Sequence, residues 1–495
     1  MTSPKPFPEL SQEQEQALVT NLQQWSLANG LVMYPPNFQP YQVNVAPITL
    51  FPTPIPRSSF NDAVEVQQIF NQLYVSLISK EKSWLVGILG DLAKFDPDFT
   101  GKLFAIYQDS LVEGKAMQPL SLGLFRSDYM VDSKLNQIKQ IEFNTVSVSF
   151  GGLSTKIGEL QNHLNGNGLY DDKYSFKYYE DEELPISQSA QELAQGLADG
   201  DYYYNGESPH DNSGGVKSTI VLVVVQPNER NSFDQRLVEY ALFKNHGVRS
   251  YRVTLEDVAD QITENGGKLY VRSTMDEISV VYYRSGYGPG DYELNPDKSW
   301  HARLFLEKSK AIKCPSVLTQ LSGSKKLQQL LTKESIVTKI LPDLDPKSLQ
   351  LLLSTFVEIL PFDDSEDGQL AEQLAFKKPE SYVLKPQREG GGNNIYKADI
   401  PGFLSELKKE EWGAYILMQL INPQTHRNKI IRNNEVFHEE IVSELGVFGT
   451  TVFNEDTGDI KTNKNAGWLL RSKFETSNEG GVAAGFGCVD NIYLY

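Results

Sequence analysis

Six consecutive apolar residues, Ile220 to Val225, constrain the fold more than any other feature of the chain. The run has no polar face, and all but Leu222 are β-branched. Such a strand must be covered on both sides, as in a parallel sheet with crossover helices. The next sixty residues fit that requirement. Asp234–Asn245 has helical spacing and stops at Gly247, and Ser250–Val253 reads as a strand. Thr254-x-x-Asp257 has the form of a capping box opening a further helix, and Ile278–Tyr283 reads as another strand. Alternating strands and helices spell a small parallel α/β unit over about 216–310. The same run is also the longest clean apolar stretch, far short of the ~20 residues a membrane helix needs.

The rest of the chain is organised around this unit. Residues 10–29 carry Leu10, Leu18, Val19, Leu22 and Trp25 at helical spacing, with Gly30 as a stop. Seven prolines between Tyr34 and Pro56 force an extended path. The apolar residues between them (Val43, Val45, Ile48, Leu50, Phe51, Ile55) predict that this path is packed. Residues 60–116 read as helices, and Leu122–Phe125 and Ile138–Phe143 as strands. Gly200–Ser218 reads as a polar surface connection, Leu321–Leu331 as a helix, and Asp363–Gly368 as an acidic loop.

Composition narrows the function. Asp+Glu outnumber Lys+Arg by 64 to 46 in 495 residues, a formal net charge of −18. A surface this acidic argues against nucleic acid or anionic membrane as the main partner. The N-terminal Met1–Pro6 has no secretory pattern. The two cysteines, Cys314 and Cys488, exclude a disulfide scaffold and predict small core residues in a cytoplasmic protein.

Three segments carry chemistry. Tyr382–Tyr396 is a strand that delivers Lys385, then Pro386-Gln387-Arg388-Glu389, then Gly390-Gly391-Gly392-Asn393-Asn394. Glycines let backbone N–H groups approach phosphate oxygens, and the lysine adds charge for the same anion. A plain hairpin turn is the alternative. Second, Glu142 and Asn144 sit two apart on a strand and so present hard oxygen ligands on one face, suited to Mg²⁺. Third, Arg471 and Lys473 also sit two apart. Two cations side by side imply an anion between them. Arg126 and Arg284 end strands and suit carboxylates. Glu229-Arg230-Asn231 and Gln235 follow the buried strand at its ligand-binding end. A triphosphate, Mg²⁺ ligands and several arginines point to ATP-driven activation of a carboxylate followed by amine attack.

Over essentially its whole length the chain resembles eukaryotic glutathione synthetases, fungal in type. The blocks that carry the resemblance are Phe51–Arg57, Phe125–Tyr129, Glu142–Phe150, Leu321–Lys326, Lys385–Tyr396, Ser443–Gly446 and Leu470–Gly485. The resemblance implies an α/β (α+β mixed) fold: an ATP-grasp core with a small parallel α/β substrate-binding domain and a lid. The expected boundaries are 1–215 (N-terminal core), 216–310 (substrate domain), 311–350 (core), 351–445 (lid) and 446–495 (C-terminal core with its active-site loop). It implies an ATP-dependent ligase joining γ-glutamylcysteine and glycine, a homodimer, and ATP with two Mg²⁺ as cofactors. Glu142, Asn144 and Glu389 fall at metal positions. Lys325, Lys385, Gln387, Glu389, Gly390, Gly391, Gly392, Asn393, Asn394, Tyr396, Met418, Gln419, Leu420, Ile421, Glu444, Lys473 and Glu479 fall at nucleotide positions. The peptide would meet Arg126, Val146, Ser147, Val148, Ser149, Glu229, Arg230, Asn231, Gln235, Arg284, Ser285, Gly286, Tyr287, Arg471, Val482 and Ala483. Arg471, Lys473 and Arg126 would act on the reacting groups. Two other readings stand beside it: a related ligase using another small amine such as β-alanine, and a non-catalytic ATP-binding module.

Overall fold

The computed structural model describes residues 3–171, 177–206, 219–387, 393–478, 481–482, 485 and 487–495. Its frame is a 13-stranded mixed sheet. Along the middle of that sheet run Gly487–Asp490, Ile460–Phe474, Glu435–Asn454 and Leu120–Val131, each antiparallel to the next. Ile138–Asn144 pairs with the outer half of Leu120–Val131. Beyond its inner half the sheet turns parallel, through Ile312–Cys314, Glu277–Tyr283, Thr219–Val224 and Arg249–Val253.

The apolar run thus forms the strand it predicts, buried at every position. The strands of 216–310 are parallel to one another where expected, and they continue the sheet of the rest of the chain through Ile312–Cys314. The helix expected after Thr254 is reduced to a 3₁₀ turn, Leu255–Asp257, and a four-residue α-helix, Val258–Gln261. Thr254 donates to the Asp257 side chain and caps no backbone N–H. An antiparallel hairpin, Ile262–Asn265 with Lys268–Val271, occupies the edge instead.

Other expectations shift by a few residues for local reasons. The first helix, Gln12–Asn29, starts two residues late because Ser11 and Gln14 form a capping box; it ends on Gly30 in the left-handed region. Gly200 belongs to the helix Ser189–Tyr204, where it is buried, and not to a connection. A Cβ there would lie 3.1 Å from Val280, so the glycine lets that helix approach the sheet. The expected helix Leu321–Leu331 breaks at Gly323-Ser324 into Val317–Ser322 and Lys325–Leu331, which places Lys325 at a helix start. Asp363–Gly368 is partly helical, since Ser365 caps the helix Glu366–Lys377.

A second sheet of four antiparallel strands holds Ile359–Pro361, Tyr415–Gln419, Tyr382–Pro386 and Ile395–Tyr396. One face packs Leu360, Leu384 and Leu417 against Ala371, Ala375 and Ile400. The other carries Ile359, Val383, Ile416 and Met418, with Tyr396 and Leu420 beside them. Among the described residues no helix is long and apolar enough to cross a membrane. Cys314 and Cys488 are free and buried, as expected.

Candidate active site

Strand register alone assembles most of the site. Arg126 lies opposite Asn144, and Asp128 opposite Glu142. On the other edge, Asp128 lies opposite Gly446, and Glu444 opposite Arg471. Side chains two apart share a face. Arg126, Asp128, Glu142, Asn144, Glu444, Arg471 and Lys473 therefore stand on one face of four adjacent strands.

Asp128 is the hub of that face. It is 1% exposed and takes both oxygens of a bidentate contact from Arg126, at 2.6 and 2.8 Å. It also accepts from Asn144 Nδ2 at 3.0 Å and from Arg471 Nη2 at 3.2 Å. The same Arg471 nitrogen donates to Glu444 at 2.8 Å, and Lys473 lies 3.8 Å from Glu444. So the anion inferred between Arg471 and Lys473 is, in this structure, the protein's own Glu444. Burial works against the Arg471 charge, but Asp128, Glu444 and Glu142 outweigh it and raise its pKa.

Glu142 faces the opposite pressure. Burial would raise its pKa, yet the ammonium groups of Lys325 and Lys385, together with Arg471, hold it well below the usual carboxylate range. Lys325 Nζ sits 2.7 Å from Glu142, delivered by the break at Gly323-Ser324. Lys385 arrives from the four-stranded sheet and donates to the Ile141 carbonyl at 3.1 Å. It lies opposite Ile416, in the row that holds Val383 and Met418. The face that presents Lys385 is thus an apolar row ending in a cation, a pattern that suits an aromatic base with a phosphate tail. Two of the expected nucleotide residues make other contacts. Gln387 accepts from the Lys326 N–H at 2.6 Å, and the Gln419 N–H is taken by the Glu358 carbonyl at 2.9 Å. Tyr396 and Lys473 both donate to the Asn478 carbonyl, at 3.1 and 2.9 Å, across the mouth of the site. Asn394 donates to the Tyr396 hydroxyl at 3.3 Å, beside Asn393.

The expected peptide residues gather next to Arg126. Arg126 Nη1 donates to the Ser149 carbonyl at 3.2 Å. Arg284 donates to the Val148 carbonyl at 2.5 Å and to Ser149 Oγ at 2.6 Å. Ser147 and Phe150 hold positive φ, so the 146–150 segment makes a tight turn between these arginines. A second buried acid fixes it: Asp234 accepts from the N–H of Phe150 at 2.7 Å and of Leu153 at 3.0 Å. Burial keeps the Asp234 carboxyl above its ordinary value, despite Arg284 nearby. Glu229 accepts from Asn231 N and Gln235, Arg230 donates to the Tyr34 carbonyl, and Asp291 accepts from the N–H groups of Gly286 and Tyr287. Ser285 is buried at the same bend, and Val482 is buried in an apolar cluster that also holds Val148 and Phe150. The expectations for Glu389, Gly390–Gly392, Glu479 and Ala483 lie outside the described residues.

Asp128, Asp234 and Gly446 are members of the site that sequence reasoning misses. Arg126-x-Asp128 shows the same two-residue spacing as Glu142-x-Asn144, but the expected strand stops at Phe125, whereas the observed one runs to Val131. Gly446 has a steric reason. A Cβ there would stand 2.8 Å from both Arg126 Cδ and Asp128 Oδ1. Gly446→Ala is expected to push the Arg126–Asp128 pair out of place at a cost of about 1–3 kcal/mol. A steady-state assay should show kcat/KM reduced about tenfold for an overpacking strain of that size; wild-type kinetics would refute the close-approach argument.

Known proteins share this arrangement of sequence and fold. Residues 12–494 match the family model described as eukaryotic glutathione synthase, ATP binding domain. The glutathione synthetase large chain of Schizosaccharomyces pombe is 38% identical, over 97% of this chain and 98% of the relative. Glutathione synthetase of Dictyostelium discoideum is 36% identical over 95% and 97%, and that of Homo sapiens 38% over 91% and 90%. Among solved structures, a glutathione synthetase-like effector from Globodera pallida superposes with a TM-score of 0.75 at 20% identity, covering 99% of this chain and all of the other, which speaks to the fold.

Proposed function

We infer the reaction from one premise: the chain belongs to the eukaryotic glutathione synthase family, whose model spans nearly all of it. We propose that it is an ATP-dependent ligase that joins γ-glutamylcysteine to glycine. The dipeptide's cysteinyl carboxylate attacks the γ-phosphorus of ATP, and ADP leaves. The glycine amine then attacks the acyl carbon, the P–O-linked phosphate departs, and the amine loses a proton. The products are glutathione, ADP and phosphate. The observation that carries this reading is the constellation in which four cations, Arg126, Lys325, Arg471 and Lys473, meet three carboxylates, Asp128, Glu142 and Glu444, while Lys385 donates to the Ile141 carbonyl beside Glu142. In a chain of net charge −18, that concentration of cations supports a site for polyanionic reactants.

Within this reading Lys325 and Lys385 hold the phosphates, and the Val383–Met418 face receives the base. Arg126, Arg284 and the 146–150 turn orient the dipeptide. Arg471 and Lys473 neutralise the charge that develops on the transferred phosphoryl group, as such sites generally do. The residues suit Mg²⁺: Glu142 is held ionised, and Asn144 places a second hard oxygen beside it. Among the described residues no three His, Cys, Asp or Glu side chains cluster as a metal site. Mg²⁺ does not need such a cage, since it prefers one or two carboxylates plus substrate phosphates. When bound it supplies charge neutralisation between phosphate oxygens. A homodimer, a cytoplasmic location and the division at 216–310 and 351–445 belong to the same proposal and rest on the family resemblance.

Product analysis tests it. Purified protein with ATP, Mg²⁺, γ-glutamylcysteine and glycine should give glutathione and ADP in equal amounts. ATP binding without product would leave only a binding module. Replacing glycine by β-alanine should lower kcat/KM, since one methylene is worth about 1–3 kcal/mol in a small pocket.

A further inference from the structure

On the reverse face of the same strands lies a buried carboxylate that the proposed reaction does not use. Asp490 is 1% exposed. It accepts from Thr49 Oγ1 at 2.5 Å, Thr53 Oγ1 at 2.6 Å, Ser472 Oγ at 2.5 Å and the Asn491 N–H at 2.7 Å. Thr49 and Thr53 come from the 48–55 stretch, Ser472 from Ile460–Phe474, and Asn491 is the next residue along the chain. Ser472 is the residue between Arg471 and Lys473, so its side chain points away from the site while theirs point into it. The register carries this across the sheet: Glu444 pairs with Arg471 on the site face, and Ser443 with Ser472 beneath them. The two serine hydroxyls touch at 2.6 Å. A chain of hydrogen bonds therefore runs from Ser443 through Ser472 to Asp490, and on to Thr49 and Thr53.

Resting on the proposed roles of Arg471 and Lys473, we propose that Asp490 is a positioning residue which, through Ser472, sets the height and register of the strand that presents this cation pair. Two features make the carboxylate suited to it. Four donors converge on two oxygens, an arrangement complete only when the group is ionised. And the bond to Ser472 is short and desolvated, where geometry is most strictly enforced. Burial pushes the Asp490 carboxyl up to about 6, against the hydroxyls that favour its charge. The titratable and charged groups around it are the Tyr170 phenol, the Cys488 thiol on its own strand, and Arg432 beyond Cys488. The packed strands meet it with Thr49, Thr53 and Ser472, which do not titrate. Protonation would place a hydrogen on an oxygen that a hydroxyl now donates to, and so would loosen the tether near pH 6.

The test uses Asp490→Asn and Ser472→Ala in the full-length protein. Each should lower kcat about tenfold, the scale of a small displacement of an aligned group. The thermal midpoint should fall for Asp490→Asn, which leaves a buried donor without its acceptor, and less for Ser472→Ala, and the double variant should lose little more kcat than either single one, because both cut the same link. The ratio of wild-type to Asp490→Asn kcat should shrink as pH falls from about 7.5 to about 5.5, through the carboxyl's raised pKa. Titration of ATP and peptide acts on both enzymes equally and cancels in that ratio. Unchanged kcat in Ser472→Ala, additive losses, or a ratio flat across pH would each overturn the proposal. If Asp490→Asn fails to fold, Ser472→Ala decides alone. Arg471→Ala serves as the control. If it too has normal turnover, the reading of the cation pair has failed; if only it is impaired, the Asp490 tether has failed.

Discussion

Arg471→Ala should lower kcat at least a hundredfold, roughly the effect of removing one preorganised donor from a developing anion. The expectation follows from its position. Its Nη2 bridges Glu444 at 2.8 Å and Asp128 at 3.2 Å, on the face that also holds Glu142 and Lys473. Its charge is fixed by three carboxylates that outweigh its burial. Deleting one member of a buried ion pair typically destabilises by about 3–5 kcal/mol. The lower end applies here, because Asp128 keeps Arg126 and Glu444 keeps Lys473. The variant should therefore fold with a reduced thermal midpoint and, with Lys325 and Lys385 in their proposed roles, still bind ATP, yet turn over slowly. Arg471→Lys should recover only part of the loss, since an ammonium restores the charge without the planar fork that spans two acceptors. Rapid-quench measurement of acyl phosphate formation separates the chemical step from binding. Near-normal turnover in either variant would remove Arg471 from the chemistry.

Period-2 reasoning reads most of this face directly from the sequence. Glu142 with Asn144, and Arg471 with Lys473, emerge as pairs because a strand fixes which residues share a side. What the spacing cannot show is which pairs meet. That depends on register between strands some 300 residues apart in the chain, such as Asp128 with Gly446. Hence spacing alone leaves the cation pair waiting for an external anion, while the fold already supplies Glu444. The buried strand Thr219–Val224 is legible because an uninterrupted β-branched run has few other solutions. The hairpin at 262–271 is not: its strands are four residues each, with polar tips and no strong alternation. The Thr254 helix fails for a related reason. Thr254 prefers the Asp257 carboxylate to the backbone, and local side-chain bonds of this kind compete with helix caps. Asp234 and Asp490 are invisible because nothing in the sequence distinguishes a buried aspartate from a surface one until its donors are in place.

Asp128→Asn is expected to rank with Arg471→Ala, and for a different reason. The carboxylate touches no substrate in the proposed reaction, yet it receives four donated hydrogen bonds: two from Arg126, one from Asn144 and one from Arg471. An amide of the same shape can accept at only one of its two ends, and the other presents N–H to a guanidinium. With the amide oxygen at either end Arg126 loses one of its two bonds to this side chain, and where the NH2 faces Arg471 that guanidinium keeps only Glu444. Both guanidinium groups would lose the buried negative charge they share, at a cost of about 3–5 kcal/mol for a broken buried pair. With Arg126 proposed to meet the dipeptide and Asn144 a metal ion, KM for γ-glutamylcysteine and the Mg²⁺ requirement should both rise. Lys325 is held by Glu142 and Lys385 by the Ile141 carbonyl, so KM for ATP should change much less. That split separates positioning from general destabilisation, which would move all the constants together. The double variant Asp128→Asn/Arg471→Ala should lose less than the product of the single effects, since the two residues share one interaction. Strict additivity would mean that Asp128 supports the fold of this strand and nothing more.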